Sequence, residues 1–257
     1  MDPGPANPWI VRWSRQARPD PTPAALRLVC FPYGGGGAGI YRTWHKALPE
    51  TVEVLAIDLP GRERRFREQP FDRLGPLVAA LTDAVAPALQ SPFAIYGHSL
   101  GALVGFSFAR ELRRRALPGP VHLFLSGRRA PQLPERSPIR HLPDPEFQAR
   151  VQRLGGVPDA VARDPEVMAF FLPVLRADFT VAETATFTDE PPLACPITAL
   201  GGADDERAAP AELDAWRVHT SAAFARELFP GGHFYLQSER AALLAWLSAQ
   251  LVRITAS

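Results

Sequence analysis

The sequence predicts an α/β fold, built on a mostly parallel central sheet with helices on both faces. Short apolar runs of strand length alternate with longer segments of helical spacing, and this alternation is typical of parallel sheets. The first two runs, 26–31 and 52–57, are almost uniformly apolar and end in loops that contain proline and glycine. Such runs indicate strands that are buried on both faces.

The remaining elements follow in the same order along the chain. Further strands are predicted at 93–96, 121–125, 196–200 and 225–229. Helices are predicted at 74–89, 100–112 and 243–251. Basic residues near the end of the second helix suit the negative end of a helix dipole. We expect one domain over residues 1–257.

The alternation stops between residues 130 and 192. This stretch contains helical patterns at 145–154 and 165–175, and it contains no run that indicates a strand. Ligands of open α/β sheets bind at the carboxyl ends of the strands. We therefore interpret 130–192 as a helical lid insertion over that edge.

Composition excludes several classes of function. The chain has 257 residues, 46% of them hydrophobic, and a formal net charge of +1, which is globular and not strongly basic. We therefore expect neither a nucleic acid nor a membrane as a partner. We expect a cytoplasmic protein that is a monomer. The amino terminus lacks a signal-peptide pattern, and no run approaches the roughly 20 apolar residues of a membrane span. Cys30 and Cys195 lie in apolar runs and are expected to be buried without forming a disulfide framework.

A candidate nucleophile, Ser99, lies in the segment Gly-His-Ser-Leu-Gly at 97–101. A predicted strand precedes this G-x-S-x-G pattern and a predicted helix follows it, which is the context of a nucleophile elbow in an α/β-hydrolase fold. The turn is so tight that side chains at Gly97 and Gly101 would collide with the backbone. The amide of Leu100 would then face an oxyanion at the start of the helix.

A serine hydroxyl needs a base to accept its proton, and in this fold the base follows the nucleophile along the chain. The histidines after Ser99 are 122, 141, 219 and 233. His233 follows the last predicted strand and the turn Pro230-Gly231-Gly232, at the sheet edge that carries the elbow. It is the predicted base. His98 should point away from the serine oxygen and support the turn by packing.

The acid that orients the base should follow the strand at 196–200. Two adjacent carboxylates, Asp204 and Asp205, occur there. Counting from Gly202 favours Asp205, and Asp204 stays the alternative. A glycine-rich loop, 34–37, follows the first strand and could supply a second oxyanion amide. The spacing of this loop from Asp58 also fits a dinucleotide-binding loop, but the serine elbow explains more of the chain.

The joint motifs resemble the type II thioesterases of polyketide and nonribosomal peptide synthesis. They are Cys-Phe-Pro-Tyr-Gly-Gly-Gly at 30–36, Leu-Pro-Gly-Arg-Glu-Arg-Arg at 59–65, the elbow at 97–101, Arg-Ala-Asp at 176–178 and Phe-Pro-Gly-Gly-His-Phe at 229–234. The resemblance runs from about Trp13 to the last helix. It implies that the amides of Gly34 and Leu100 form the oxyanion hole, although the family usually has alanine at Gly34.

The resemblance also implies a substrate and a partner. The family removes acyl groups from the phosphopantetheine arm of acyl or peptidyl carrier proteins, by a reaction that needs no cofactor and no metal. Tyr33, Arg62, Arg65 and Phe179 are candidates for contacts with the arm or the carrier. The arginines around 62–67 could equally pair with Glu63 and Glu68. Phe170, Phe171, Leu175 and Phe179 could line an acyl chamber or pack within the insertion.

Three other functions share these residues. A general carboxylesterase or lipase would have the same triad and a different leaving group. An acyltransferase would pass the acyl group to another acceptor than water, although carrier-loading transferases usually have an acid where this chain has Ala102. A binding module that is catalytically silent would need to have lost one of the three triad residues.

Overall fold

A computed structural model describes residues 7–13, 24–89, 92–156 and 164–256. Its sheet has seven strands in the order β1-β3-β2-β4-β5-β6-β7, with β1 antiparallel to β3 and every other pair parallel. The strands are β1 (Ile10–Trp13), β2 (Leu26–Phe31), β3 (Val52–Ile57), β4 (Phe93–His98), β5 (His122–Ser126), β6 (Ile197–Gly202) and β7 (Phe224–Phe229). The predicted mostly parallel sheet is confirmed.

Seven α-helices accompany the sheet within the described residues. They are α1 (Leu74–Val85), α2 (Leu100–Arg114), α3 (Asp144–Arg153), α4 (Pro165–Thr184), α5 (Pro210–Asp214), α6 (Tyr235–Ser238) and α7 (Arg240–Thr255). Short 3₁₀ turns occur at Ala38–Tyr41, Trp44–Lys46, Glu63–Arg65, Ala86–Ala88 and Ala215–His219. None of the helices in the described part of the chain is long and apolar enough to cross a membrane.

Each face of the sheet carries its own apolar core. On one face, α2 places Val104 and Phe108 against Phe31 and Ile95 of the central strands. On the other face, α7 and the turns at 38–46 cover strand residues that point the opposite way, and Leu247 belongs to this second core. Because the side chains of a strand alternate between faces, strands that are apolar throughout feed both cores. Helices therefore lie on both faces, as predicted.

Strand β1 was missed by the sequence analysis. It pairs antiparallel with β3, so that Ile10 lies opposite Ile57 and Trp13 opposite Val54. Within the described residues this strand covers four positions, and its partner there lies more than forty positions away. A short run with no local turn signal gives no periodicity to detect, which explains the omission.

The described parts of the predicted insertion, 130–156 and 164–192, contain helices and no strand. Their apolar side chains form a separate small core, which includes Phe147, Met168 and Leu175. Helix α4 begins at a cap in which the carboxylate of Asp164 accepts the amides of residues 166 and 167. It runs nine residues beyond its predicted end at 175 despite the internal Pro173, because buried residues further along continue its packing.

Candidate active site

Ser99 lies in the turn between β4 and α2 with φ 54° and ψ −112°. A positive φ is costly for a residue with a side chain, by about 1–3 kcal/mol, and persists only where the surroundings enforce it. Here a Cβ at Gly97 would lie 2.2 Å from the carbonyl oxygen of Gly101, and a Cβ at Gly101 would lie 2.2 Å from that of Phe31. The amide of Ser99 donates to the carbonyl of Ser126 at 2.8 Å. The turn thus has the backbone geometry of a nucleophile elbow, enforced by close backbone contacts.

Asp205 and His233 are brought together from the ends of β6 and β7. The Nδ1 atom of His233 lies 2.8 Å from Oδ2 of Asp205, and the other carboxylate oxygen accepts the amide of Arg207 at 2.9 Å. Asp205 is only 4% exposed. Asp204, the alternative candidate, has an exposed side chain and makes a backbone hydrogen bond to Gly231.

The two loops that carry this pair touch through their main chains. A Cβ at Gly202, the last residue of β6, would lie 2.2 Å from the carbonyl oxygen of Gly232. Gly231 has φ +91°, a conformation that favours glycine, and it forms the tight turn before His233. The separation of the carboxylate and the imidazole is therefore fixed by backbone packing.

Ser99 and His233 line one small cleft of about 40 Å³. Four other residues predicted from the sequence, Tyr33, Gly34, Leu100 and Phe179, also line it. The lining residues that were not predicted for the site are Arg128, Leu154, Asp178, Ala182, Arg207 and Phe234. Four of the twelve lining residues belong to 130–192, so the insertion forms one wall of the cleft.

The glycine-rich loop is tied to helix α4 by a buried ion pair. Asp178 of α4 accepts the amide of Gly35 at 2.7 Å and two guanidinium N–H groups of Arg62 at 2.7 and 2.8 Å. Arg62 also donates to the carbonyl oxygen of Gly36 at 3.1 Å. Next to this anchor, a Cβ at Gly34 would meet the Cβ of Asp178 at 3.6 Å, an ordinary contact. An alanine therefore fits at Gly34.

Arg62 and Arg65, which were predicted to contact the arm or the carrier, have partners within the chain. Arg62 is 4% exposed because its guanidinium is occupied by Asp178 and the glycine loop. Arg65 is 7% exposed, pairs with Glu68 as the alternative interpretation allowed, and stacks 4.1 Å over the ring of Trp9. Nothing local in the sequence shows that Asp178 is the partner of Arg62, since the two lie 116 positions apart.

A buried polar cluster of His98, Ser126 and Tyr235 packs beside the turn at Ser99. Nδ1 of His98 lies 2.8 Å from Oγ of Ser126, which lies 2.5 Å from the hydroxyl of Tyr235. Burial lowers the pKa of His98 well below its usual value, so the imidazole stays neutral. Its ring centroid lies 5.0 Å from that of His233. His98 therefore packs as support, and Ser126 and Tyr235 are its unpredicted partners.

Two arginines in the cleft were also missed. Burial lowers the pKa of Arg128 to about 10, and its guanidinium donates to the carbonyl of Ala182 at 3.0 Å. Arg128 and Arg207 both approach the carboxylate of Glu135, at 3.9 and 4.0 Å. Arg128 follows the carboxyl end of β5, at the sheet edge where ligands bind. This position in the sequence could have identified it as a candidate site residue.

The other histidines do not line the cleft. His122 bonds to Thr198 at 2.9 Å, and His219 bonds to Gln132 at 2.6 Å. Among the described residues, no three His, Cys, Asp or Glu side chains are grouped so that they could hold a metal ion. Cys30 and Cys195 are free thiols, and burial raises the pKa of both.

Comparison with known proteins assigns the family. The thioesterase domain family matches residues 26–251. The gramicidin S biosynthesis protein GrsT of Aneurinibacillus migulanus is 41% identical over 229 residues, which cover 89% of this chain and 90% of that protein.

Solved structures of thioesterases are similar to this chain as well. The RedJ thioesterase from the prodiginine biosynthetic pathway in Streptomyces coelicolor superposes with a TM-score of 0.85 and 42% identity, over 91% of this chain and 89% of that chain. The type II thioesterase BorB from the borrelidin biosynthetic cluster superposes with a TM-score of 0.84 and 35% identity, over 95% and 97%. These findings confirm the α/β-hydrolase fold and the resemblance to type II thioesterases, and the chain belongs to the thioesterase family of thioester hydrolases.

Proposed function

We propose that this enzyme hydrolyses acyl thioesters on the phosphopantetheine arm of carrier proteins, through an acyl group held covalently on Ser99. One observation carries the proposal: His233, which is hydrogen-bonded to Asp205, lines the same cleft as Ser99. Relatives named for antibiotic biosynthesis support a carrier-bound substrate.

In the acylation step, Oγ of Ser99 attacks the thioester carbonyl carbon while Nε2 of His233 accepts the hydroxyl proton. Asp205 holds the imidazole in the tautomer that leaves Nε2 free, and it stabilises the imidazolium that forms. The amides of Gly34 and Leu100 donate to the oxyanion, and the loss of one such donor typically costs about 10²- to 10³-fold in rate. The carbon–sulfur bond then breaks, and the thiolate on the arm takes the proton from His233.

Deacylation follows the same steps, with water as the nucleophile in place of Ser99. His233 accepts a proton from the water as its oxygen attacks the acyl carbon on Ser99. The carbon–oxygen bond to Ser99 breaks, the serine recovers its proton from His233, and the free acid leaves. The predicted insertion supports this function because Asp178, Phe179 and Ala182 on α4 line the cleft together with Ser99 and His233. We propose that the four lining residues within 130–192, Leu154, Asp178, Phe179 and Ala182, bound the acyl site in this way.

The test compares one acyl group on two leaving groups. Hydrolysis is measured for a short acyl group on a phosphopantetheinylated carrier protein and for the matched nitrophenyl ester, with Ser99→Ala as the blank. The carrier thioester should be cleaved with a much higher kcat/KM than the ester, and Ser99→Ala should cleave neither.

Two results would contradict the proposal. Cleavage of the ester alone would favour a general esterase with the same triad. Full activity of Ser99→Ala, checked for folding by circular dichroism, would remove the serine from the reaction.

A further inference from the structure

Two exposed aromatic rings from distant segments meet on the surface. Phe66, which follows the turn Glu63–Arg65, is 48% exposed, and Phe170 on α4 is 57% exposed. Their ring centroids lie 6.3 Å apart, and Phe171 extends the group with its ring 5.6 Å from that of Phe170. Single exposed apolar side chains are common, whereas two exposed aromatic rings in contact form a candidate contact site.

The two segments that carry these rings also hold the glycine-rich loop of the cleft. Arg62, four residues before Phe66, binds the carbonyl of Gly36, and the carboxylate of Glu63 accepts the amide of Gly39. Leu175 of α4 lies so close to the loop that a Cβ added at Gly35 would lie 2.4 Å from the side chain of Leu175. A molecule that docks on the rings would therefore sit next to the loop that faces Ser99.

A cation accompanies the rings. The guanidinium of Arg67 lies 5.3 Å from the ring centroid of Phe66, and the side chain is exposed. Within the described ranges, Arg67 forms no ion pair, whereas Arg64 pairs with Asp58 and Arg65 with Glu68. Arg67 thus retains a charge that is available to an acidic partner.

We propose that Phe66, Phe170 and Arg67, here called the aromatic–arginine patch, form the docking surface for the carrier protein. The inference rests on the proposed function, which requires the carrier body to bind near the cleft while its arm reaches Ser99. An acidic helix with an apolar stripe matches the patch, because its carboxylates can pair with Arg67 while its apolar side chains cover the two rings.

The experiment separates docking from chemistry by changing the leaving group. The same acyl group is presented on a phosphopantetheinylated carrier protein and on N-acetylcysteamine, which lacks the carrier. Arg67→Glu and Phe170→Ser should each lower kcat/KM for the carrier thioester by about tenfold or more, and leave that for the small thioester unchanged. Arg67→Lys should keep most of the carrier activity because it keeps the charge.

Arg217→Glu and Val218→Ser are the matched controls. Arg217 is likewise an exposed arginine over an aromatic ring, that of Phe224 at 4.6 Å, and Val218 is 65% exposed beside it. Neither residue lines the cleft. These controls should leave both activities unchanged.

Three outcomes would overturn the proposal, and each has a different meaning. If the wild type cleaves both thioesters and the patch variants lose neither activity, the patch is not the docking site although the proposed function stands. If the wild type cleaves only the small thioester, the proposed function itself fails. If the wild type sediments as a dimer that Phe170→Ser dissociates, a second copy of the chain covers the patch instead.

Discussion

Replacing Asp178 by asparagine should lower both the stability and the rate of this enzyme. The two oxygens of Asp178 accept three N–H groups, two from Arg62 and one from Gly35. Asparagine has one acceptor oxygen and presents an NH₂ group in place of the other. At least one of the three donors then loses its partner, and the charge of Arg62 loses its counterion.

The size of the stability loss follows from burial. Arg62 is 4% and Asp178 is 3% exposed, so solvent cannot replace the lost carboxylate. Breaking a buried ion pair from one side typically costs 3–5 kcal/mol, and because asparagine keeps the shape and one acceptor we expect about 3 kcal/mol. For a chain of this size each kcal/mol shifts Tm by about 2–4 °C, so Tm should fall by about 6–12 °C.

The rate should fall because the glycine-rich loop loses its anchor on α4. Gly34 precedes the anchored Gly35, so under the proposed mechanism a displaced Gly34 amide is equivalent to a missing oxyanion donor. We expect kcat on a small thioester to drop by about 10²-fold. Urea unfolding gives the stability change, and steady-state hydrolysis gives the rate.

A double variant and a surface control complete the design. Arg62→Met with Asp178→Leu removes both charges and should regain much of the stability, because buried apolar substitutes for an ion pair are often neutral. It should not regain the rate, since Gly35 still lacks an acceptor. Asp144→Asn breaks the pair with Arg176 in the same insertion, but Asp144 is 60% exposed, so we expect a loss below about 1 kcal/mol. If Asp178→Asn were as stable and as active as the wild type, the argument that the ion pair holds the loop would be refuted.

Three further predictions concern single residues. Asp205→Asn should lower kcat by about 10⁴-fold in the same assay while Asp204→Asn has little effect, and equal losses would contradict the assignment of the acid. Gly34→Ala should stay active because its Cβ has room, whereas Gly101→Ala should yield little folded protein by circular dichroism, since its Cβ would meet a carbonyl oxygen at 2.2 Å. Burial lowers the pKa of His219 to about 4 from 6.5, so below pH 6.5 the unfolded chain binds more protons than the folded one. His219 alone should therefore lower the free energy of unfolding by up to about 1.4 kcal/mol per pH unit as the pH falls from 6.5 to 5, and the urea midpoint of His219→Gln should depend less on pH over that range.

The central strands could be predicted from the sequence because their signal is local. The apolar runs of β2 and β3 end at the residues where the structure ends these strands. Strand β1 could not be found, since its four residues form a strand only through pairing with β3. The length of α4 was underestimated because the continuation after Pro173 depends on tertiary packing of the later residues.

At the site, the same distinction separates what could be predicted from what could not. Ser99 lies in a local motif with a steric reason for each glycine, so its elbow is visible in five residues. The charge of Arg62 is visible too, but its burial depends on Asp178 of helix α4, which lies 116 positions further along the chain. Sequence spacing predicts which residues are chemically able to act, and long-range contacts decide which of them reach the cleft.

The close approach of Gly202 to the main chain at Gly232 has a consequence for the divergence of such enzymes. Asp205 and His233 lie on loops that follow β6 and β7, so we expect changes in residues 130–192 to leave their spacing intact. The glycine-rich loop does not share this independence, because its anchor is a carboxylate on α4. A segment 130–192 exchanged between relatives would therefore need to bring a carboxylate at position 178 to keep the hydrogen bond that holds the amide of Gly35.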